Sequence, residues 1–311
     1  MQNLSLKGLI AATYTPMHAD GRLNLPMIET MVERLIADGV DGFYICGSTG
    51  EGMSLSSSER RDVAEAYVGA AAKRVPVVVQ VGHNAVTEAQ ELAAHAQQIG
   101  ATAISANAPS YFKVQSADML ARCMAEIASG APDLPFYYYH IPALTGVSVD
   151  MLDYLDRAAA STPTFAGVKY TMPTLDEYQE LMAWDDGRLD VLWGCDEMLL
   201  PALAVGSQGA VGSTYNLFSP IYRQVLAAFE AGDLVTARAA QGKAIQVIRT
   251  IKRFPFHSAM KQIFTMRGID CGPCRLPQPA LSSDDVRDLR AALEALGLLE
   301  NATVSASTSQ E

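Results

Sequence analysis

One lysine differs from the other six in its surroundings. Lys169 ends a short apolar, β-prone run at residues 165–168. Burial disfavours the ammonium form of an amine and lowers its pKa, which makes the amine a nucleophile toward carbonyl carbons. A lysine at a strand tip with its head group in water is the alternative interpretation. Five other lysines lie in polar or helical surroundings where a solvated amine is expected: Lys73, Lys113, Lys243, Lys252 and Lys261.

Other polar side chains that could work with this amine also follow apolar runs. Tyr139 comes near the end of an aromatic run, and the sequence GSTGEG at residues 47–52 places Ser48 and Thr49 between glycines. The N–H groups of such a loop can converge on an anion, although a glycine-rich turn is often only structural. A lysine and a tyrosine at one rim suggest an amine nucleophile with a phenolic proton carrier. Acids and hydroxyls after the later runs suggest a polyhydroxylated ligand.

The elements that must position these residues alternate between strand and helix. Eight such units predict a parallel sheet closed into a (β/α)8 barrel, also called a TIM barrel, with its active site on the loops that follow the strands. A capping box from Ser56 to Glu59 opens the second helix, and Ser148 is expected to cap the fifth. Strands are predicted at residues 8–15, 42–46, 75–81, 102–105, 135–141, 165–170, 189–193 and 209–213.

The alternation stops near residue 233. Helices are predicted at residues 234–252, 258–267 and 283–296, and the last residues are small and polar. We therefore expect a barrel over residues 1–231, a C-terminal helical segment over residues 232–298 and a disordered tail over residues 299–311.

Composition limits the possible partners and the location. The chain has 311 residues, 49% of them hydrophobic, and a net charge of −11. This charge argues against nucleic acid as a partner, and no apolar run approaches the length of a membrane span. With no apparent secretory signal and five cysteines that form no disulfide framework, a cytoplasmic protein is expected. No group has convincing metal-ligand spacing, and the CxxC of Cys271 and Cys274 is expected to be a structural loop.

Several segments, in this order, resemble the pyruvate-dependent lysine aldolases of the dihydrodipicolinate synthase and N-acetylneuraminate lyase superfamily. They are GSTGEG at residues 47–52, YHIPALTGV at 139–147, GVKYT at 167–171, GCDE at 194–197 and GAVGSTYN at 209–216. Within the superfamily the chain is most similar to the sialic acid lyases. The resemblance implies reversible cleavage of N-acetylneuraminate to N-acetylmannosamine and pyruvate by a homotetramer.

The resemblance also implies roles for individual residues. Lys169 forms a Schiff base with the 2-oxo acid, so that no metal or organic cofactor is needed. Tyr139 carries the proton of the hydroxyl at the breaking bond, and Tyr111 completes a tyrosine relay by reaching into a neighbouring subunit. Ser48 and Thr49 hold the carboxylate. The residues implied in binding the sugar chain are Thr171, Gly194, Asp196, Glu197 and Ser213.

Two positions leave the substrate open. The synthase pattern has an arginine shortly after the strand-five tyrosine, where this chain has Leu144, which argues against dihydrodipicolinate synthesis. Cys195 stands at a position that varies among the lyases. The alternatives are another aldolase or dehydratase acting on a 2-keto-3-deoxy sugar acid, and a non-catalytic barrel that senses sugar acids.

Overall fold

Eight parallel strands form a closed barrel in sequence order, as the sequence predicts. The computed structural model describes residues 5–299. Strand β8 pairs with β1, so the sheet has no open edge. The strands are β1 Gly8–Ala12, β2 Gly42–Ile45, β3 Val77–Gln80, β4 Ala103–Asn107, β5 Phe136–His140, β6 Phe165–Tyr170, β7 Asp190–Trp193 and β8 Gly209–Gly212.

Helices surround the barrel and cover its outer face. Among the described residues, none of the helices is long and apolar enough to cross a membrane. The helices within the barrel region are α1 Met27–Ala37, α2 Ser57–Ala71, α3 Val86–Gln98, α4 Ala117–Ala128, α5 Pro142–Thr145, α6 Met151–Ser161, α7 Leu175–Ala183, α8 Leu199–Ala204 and α9 Tyr215–Glu230.

Side chains alternate between the inside of the barrel and the layer under the helices, because successive residues of a strand point to opposite faces. Tyr137 and Tyr139 pack with the inner cluster, whereas Tyr138 packs with the outer one. The three tyrosines of this strand therefore alternate between the two faces of the sheet. On β6, Val168 and Tyr170 belong to the outer cluster, so Lys169 between them faces inward.

Three further helices follow the barrel: α10 Leu234–Ile251, α11 Phe256–Met266 and α12 Ser283–Ala295. Gln241 of α10 accepts a hydrogen bond from the N–H of Leu200 and donates one to the carbonyl of Asp196. The C-terminal segment is therefore attached directly to the loop after β7. The expected tail lies, from residue 300 onward, outside the described residues.

Some local expectations are wrong. Asp150, not Ser148, caps α6, because its carboxylate accepts the N–H of Asp153. The short helix α5 was not predicted. It has four residues, Pro142–Thr145, and the next residue, Gly146, adopts the left-handed conformation that ends the helix. The capping box of Ser56 and Glu59 is present as predicted.

The largest error concerns Lys261, for which a solvated amine was expected. Its side chain is only 1% exposed, and its Nζ lies 2.6 Å from Oε1 of Glu51, which is equally buried. The sequence predicts only that it lies on a helix, but the fold brings a carboxylate from the loop after β2 against it.

Candidate active site

Lys169 lies near the end of β6, with its amine buried inside the barrel. The Nζ atom is 3.8 Å from the ring centroid of Tyr44 and 3.9 Å from that of Tyr139. Burial lowers the pKa of Lys169 to about 7, although the Asp196 carboxylate acts in the opposite sense. A substantial fraction of this amine is therefore neutral near pH 7 and able to attack a carbonyl group.

Tyr139 is the register partner of Lys169 across the β5–β6 pair. Burial raises the pKa of Tyr139 to about 12, while the nearby hydroxyls of Ser48 and Thr171 lower it. Its phenol is therefore protonated in the resting protein. Three hydroxyl groups and one amine thus come together at the carboxyl ends of β2, β5 and β6.

Tyr44 is a residue of the site to which sequence reasoning gave no role. Its ring meets that of Tyr139 edge-on, with centroids 5.6 Å apart, and its hydroxyl donates to Ser105. With Tyr139 it forms the wall against which the Lys169 amine lies. Tyr44 faces the inside of the barrel on β2, whereas Phe43 faces outward. The alternation of side chains along a strand could have predicted that these two residues face opposite sides.

The loop at residues 47–52 turns back on itself after β2. The N–H of Gly52 donates to the carbonyl of Gly47, and that of Glu51 donates to the carbonyl of Ser48. Thr15 holds the loop from outside by donating to the carbonyl of Gly50. Thr49 is buried and Ser48 is half-buried, so the hydroxyl near Tyr139 borders the open end of the site.

The ends of β6 and β7 meet closely at Thr171 and Gly194. The Thr171 hydroxyl is buried, lies near Tyr139 and makes no hydrogen bond of ordinary geometry within residues 5–299. A Cβ atom at Gly194 would lie 2.2 Å from this hydroxyl. The glycine therefore makes room for the threonine, and the threonine oxygen is left for a ligand.

Asp196 is buried beside these strand ends, where one of its oxygens already has partners. Its Oδ2 accepts hydrogen bonds from the N–H of Thr214 at 2.9 Å and from the hydroxyl of Thr214 at 2.5 Å. Burial raises the pKa of Asp196 to about 6, and the two hydrogen bonds oppose that rise. Thr214 lies in the sequence motif at residues 209–216 but was given no role there; in the structure it fixes the orientation of this carboxylate.

Two other side chains that the resemblance implies in sugar binding, Glu197 and Ser213, are partly exposed. Glu197 is 40% exposed, and its Oε1 accepts a hydrogen bond at 2.8 Å from Lys252, the residue that follows α10. Burial alone would raise the pKa of Glu197, but the hydrogen bonds outweigh it and the pKa is lowered. Ser213 is half-buried just after β8, and its carbonyl accepts from Asn216.

Tyr111 is not brought to the site of its own chain. It is 78% exposed, and its ring packs edge-on against Phe112, which is 85% exposed. Asn84 holds this loop by accepting the N–H groups of Ser110 and Tyr111. Both rings therefore project from the surface.

His140 and the CxxC cysteines lie apart from this chemistry. His140 stacks on Tyr170 in the outer layer, and burial lowers its pKa to about 4. Cys271 and Cys274 are free thiols in an irregular segment, and burial raises the pKa of each. These groups are neutral at pH 7, which fits structural roles.

The chain is similar to known proteins over nearly its whole length. Residues 5–296 match the dihydrodipicolinate synthetase family. The N-acetylneuraminate lyase of Mus musculus is 41% identical over 304 residues, which cover 96% of this chain and 95% of that protein. The structure of Proteus mirabilis N-acetylneuraminate lyase aligns with a TM-score of 0.92 at 35% identity, covering 95% of this chain and 100% of that one.

A structure from another branch aligns almost as well. A prophage protein of the dihydrodipicolinic acid synthase family from E. coli K12, solved in complex with pyruvate, gives a TM-score of 0.86 at 28% identity. It covers 94% of this chain and 99% of that one. In sequence and in fold, this chain belongs to the dihydrodipicolinate synthetase family.

Proposed function

We propose that this protein cleaves N-acetylneuraminate reversibly to N-acetylmannosamine and pyruvate. The observation that carries the proposal is the buried Lys169 amine, with a pKa of about 7, in register with the Tyr139 phenol. Relatives that are about 41% identical over nearly their whole length carry the name N-acetylneuraminate lyase. Thr171 and Asp196 add oxygens that suit a polyhydroxylated chain.

The proposed reaction begins with attack of the neutral Lys169 amine on the C2 carbonyl of the substrate. Loss of water gives an iminium, which draws electrons from the adjacent C3–C4 bond. The Tyr139 phenol gives its proton to the hydroxyl that leaves as this water, and the resulting phenolate takes the proton of the C4 hydroxyl as the C3–C4 bond breaks. The sugar then leaves as an aldehyde and an enamine stays on Lys169. Protonation of the enamine and hydrolysis release pyruvate. The iminium is the electron sink, and the proposal therefore needs no metal or organic cofactor.

The carboxylate of the 2-oxo acid is proposed to bind at Ser48 and Thr49. The N–H groups of Glu51 and Gly52 donate within the turn at residues 47–52, so the N–H groups of Ser48 and Thr49 are the donors proposed to hold the anion without a buried arginine. Leu144 is 64% exposed on α5, where the synthase pattern has an arginine, and this favours a sugar acid as substrate.

A homotetramer is proposed because Tyr111 and Phe112 are exposed on the surface of a single chain. Large exposed aromatic side chains mark interaction sites, and a neighbouring subunit would bury both rings. Tyr111 would then complete the proton relay of that neighbour. All five cysteines are free thiols, which suits the reducing conditions of the cytoplasm as the proposed location.

The proposal is tested by adding N-acetylneuraminate to the purified protein and following pyruvate release with lactate dehydrogenase. We expect turnover, and none in Lys169→Met, which keeps the length of the side chain but not the amine. Equal release from both proteins would mean that Lys169 is not the nucleophile. No release from a protein that still forms a pyruvate adduct would move the assignment to another 2-keto-3-deoxy sugar acid, which a substrate panel would identify.

A further inference from the structure

The loop at residues 47–52 is held in a conformation that its own residues do not favour. Cys46 and Glu51 have positive φ values of 57° and 56°, in the left-handed region that non-glycine residues rarely adopt. A Cβ atom on Gly52 would lie 1.9 Å from the carbonyl oxygen of Cys46. Backbone of this kind persists where the surrounding structure holds it in place.

The Glu51 side chain extends from this turn into the C-terminal helical segment. Its Oε1 lies 2.6 Å from Nζ of Lys261 on α11, and both side chains are 1% exposed. Its Oε2 accepts the N–H of Arg275 at 2.7 Å, and Lys261 also donates to the carbonyl of Pro273 at 2.9 Å. Glu51 is therefore anchored by two parts of the segment that follows the barrel.

The backbone of Glu51 connects this anchor to the proposed carboxylate site. Its N–H donates to the carbonyl of Ser48 at 3.1 Å. That carbonyl and the N–H of Thr49 belong to one planar peptide unit, so fixing the first fixes the direction of the second. The Thr49 N–H is one of the donors proposed to bind the substrate carboxylate.

We propose that Glu51 and Lys261 are positioning residues, whose buried ion pair sets the orientation of the Ser48–Thr49 peptide for the carboxylate of pyruvate. This inference rests on the carboxylate-binding role proposed above for Ser48 and Thr49. It gives the C-terminal helical segment a part in substrate binding, although none of its residues needs to touch the substrate.

The test measures the pyruvate concentration that gives half-maximal borohydride trapping on Lys169, well below the melting temperature of each variant. In Lys261→Met this concentration should rise by about 10- to 100-fold, as expected for a small misplacement of binding groups. The extent of trapping at saturating pyruvate should not change, because the amine and its surroundings remain.

Two further variants separate positioning from stability. Glu51→Gln/Lys261→Met leaves no lone buried charge and should be more stable than Lys261→Met, yet should bind pyruvate as weakly. Asp190→Ala removes a buried carboxylate at the opposite end of the barrel, where it accepts from Leu6 and Tyr137, and should lower stability without changing the pyruvate concentration.

The inference is overturned if the double variant binds pyruvate like the wild type, since the pair would then serve stability alone. The same holds if Asp190→Ala weakens pyruvate binding as much as Lys261→Met does. Wild-type protein that traps no pyruvate at any concentration would overturn the proposed function and, with it, this inference. Normal wild-type trapping with normal affinity in the variants would overturn the inference alone.

Discussion

Lys169 and Tyr139 are neighbours on paired strands, and desolvation by burial shifts the pKa of each. Desolvation disfavours the charged form, so the pKa of the lysine falls to about 7 and that of the tyrosine rises to about 12. The amine is therefore available as a nucleophile, and the phenol keeps its proton until the reaction requires its transfer.

The rate of Schiff-base formation should follow the deprotonation of Lys169. Below about pH 7 the amine carries a proton and cannot attack, so the second-order rate of pyruvate adduct formation should rise with pH and level off above about pH 7. The rate is measured by quenching with borohydride at low pyruvate concentration over a range of pH. A rate that keeps rising to pH 10 would show that the amine has the pKa of an ordinary lysine.

Tyr139→Phe should separate adduct formation from bond cleavage. The phenylalanine ring preserves the packing against Lys169 but cannot move a proton. We expect the pyruvate adduct to form while cleavage of N-acetylneuraminate slows by about 10²- to 10⁴-fold. Single-turnover measurements of both steps test this, and an unchanged cleavage rate would remove Tyr139 from the mechanism.

Residue identities could be predicted only where the local sequence carries the signal. Lys169 stands out because it ends an apolar run. Strand alternation puts Tyr137 and Tyr139 on the same face, and only the resemblance to the aldolases distinguishes Tyr139. Lys261 could not be recognised, since it lies within a predicted helix and its partner Glu51 belongs to a distant loop. Tertiary contacts of this kind are absent from any local pattern.

The parallel strands of the barrel bring their carboxyl ends close together, so that residues of different strands contact one another. Gly194 after β7 and Thr171 after β6 approach so closely that no side chain fits between them. Strand number and order followed from the alternation of strand and helix. The exact ends did not, because Ser148 and Asp150 are equally plausible caps in sequence and only the fold selects Asp150.

Gly194→Ala tests this close approach. Its methyl group would meet the Thr171 hydroxyl at 2.2 Å and the carbonyl of Tyr170 at 2.7 Å, and it must displace one of them. We expect kcat/KM for N-acetylneuraminate to fall by about 10- to 100-fold. Gly69→Ala is the matched control, since nothing lies within 4 Å of its added Cβ and activity should be unchanged. Wild-type kinetics in Gly194→Ala would mean that Thr171 does not contribute to binding.

In the whole molecule, a single chain holds Lys169, Tyr139 and the loop at residues 47–52 but leaves Tyr111 exposed on its surface. The barrel was predictable because eight regular units must bury their apolar faces, and a closed sheet does so without an edge. The assembly was not predictable from physical patterns, since an exposed aromatic pair shows where a partner would bind and not which partner it is.

Mixing two inactive proteins would test whether sites are completed between subunits. Lys169→Met lacks the nucleophile, and Tyr111→Ala lacks the proposed relay to the neighbouring site. In mixed assemblies some sites regain both groups, and random pairing in a symmetric interface should restore about a quarter of the sites. Pyruvate release by the mixture, after verified subunit exchange, measures this. Activity no greater than the sum of the separate proteins would place Tyr111 outside the neighbouring site.

Borohydride trapping followed by peptide mass analysis shows directly whether Lys169 forms a covalent bond with pyruvate. We expect one reduced pyruvyl group per chain, on the peptide that contains Lys169, and none in Lys169→Met. An adduct on a different lysine, or no adduct in a folded wild-type protein at saturating pyruvate, would contradict this expectation.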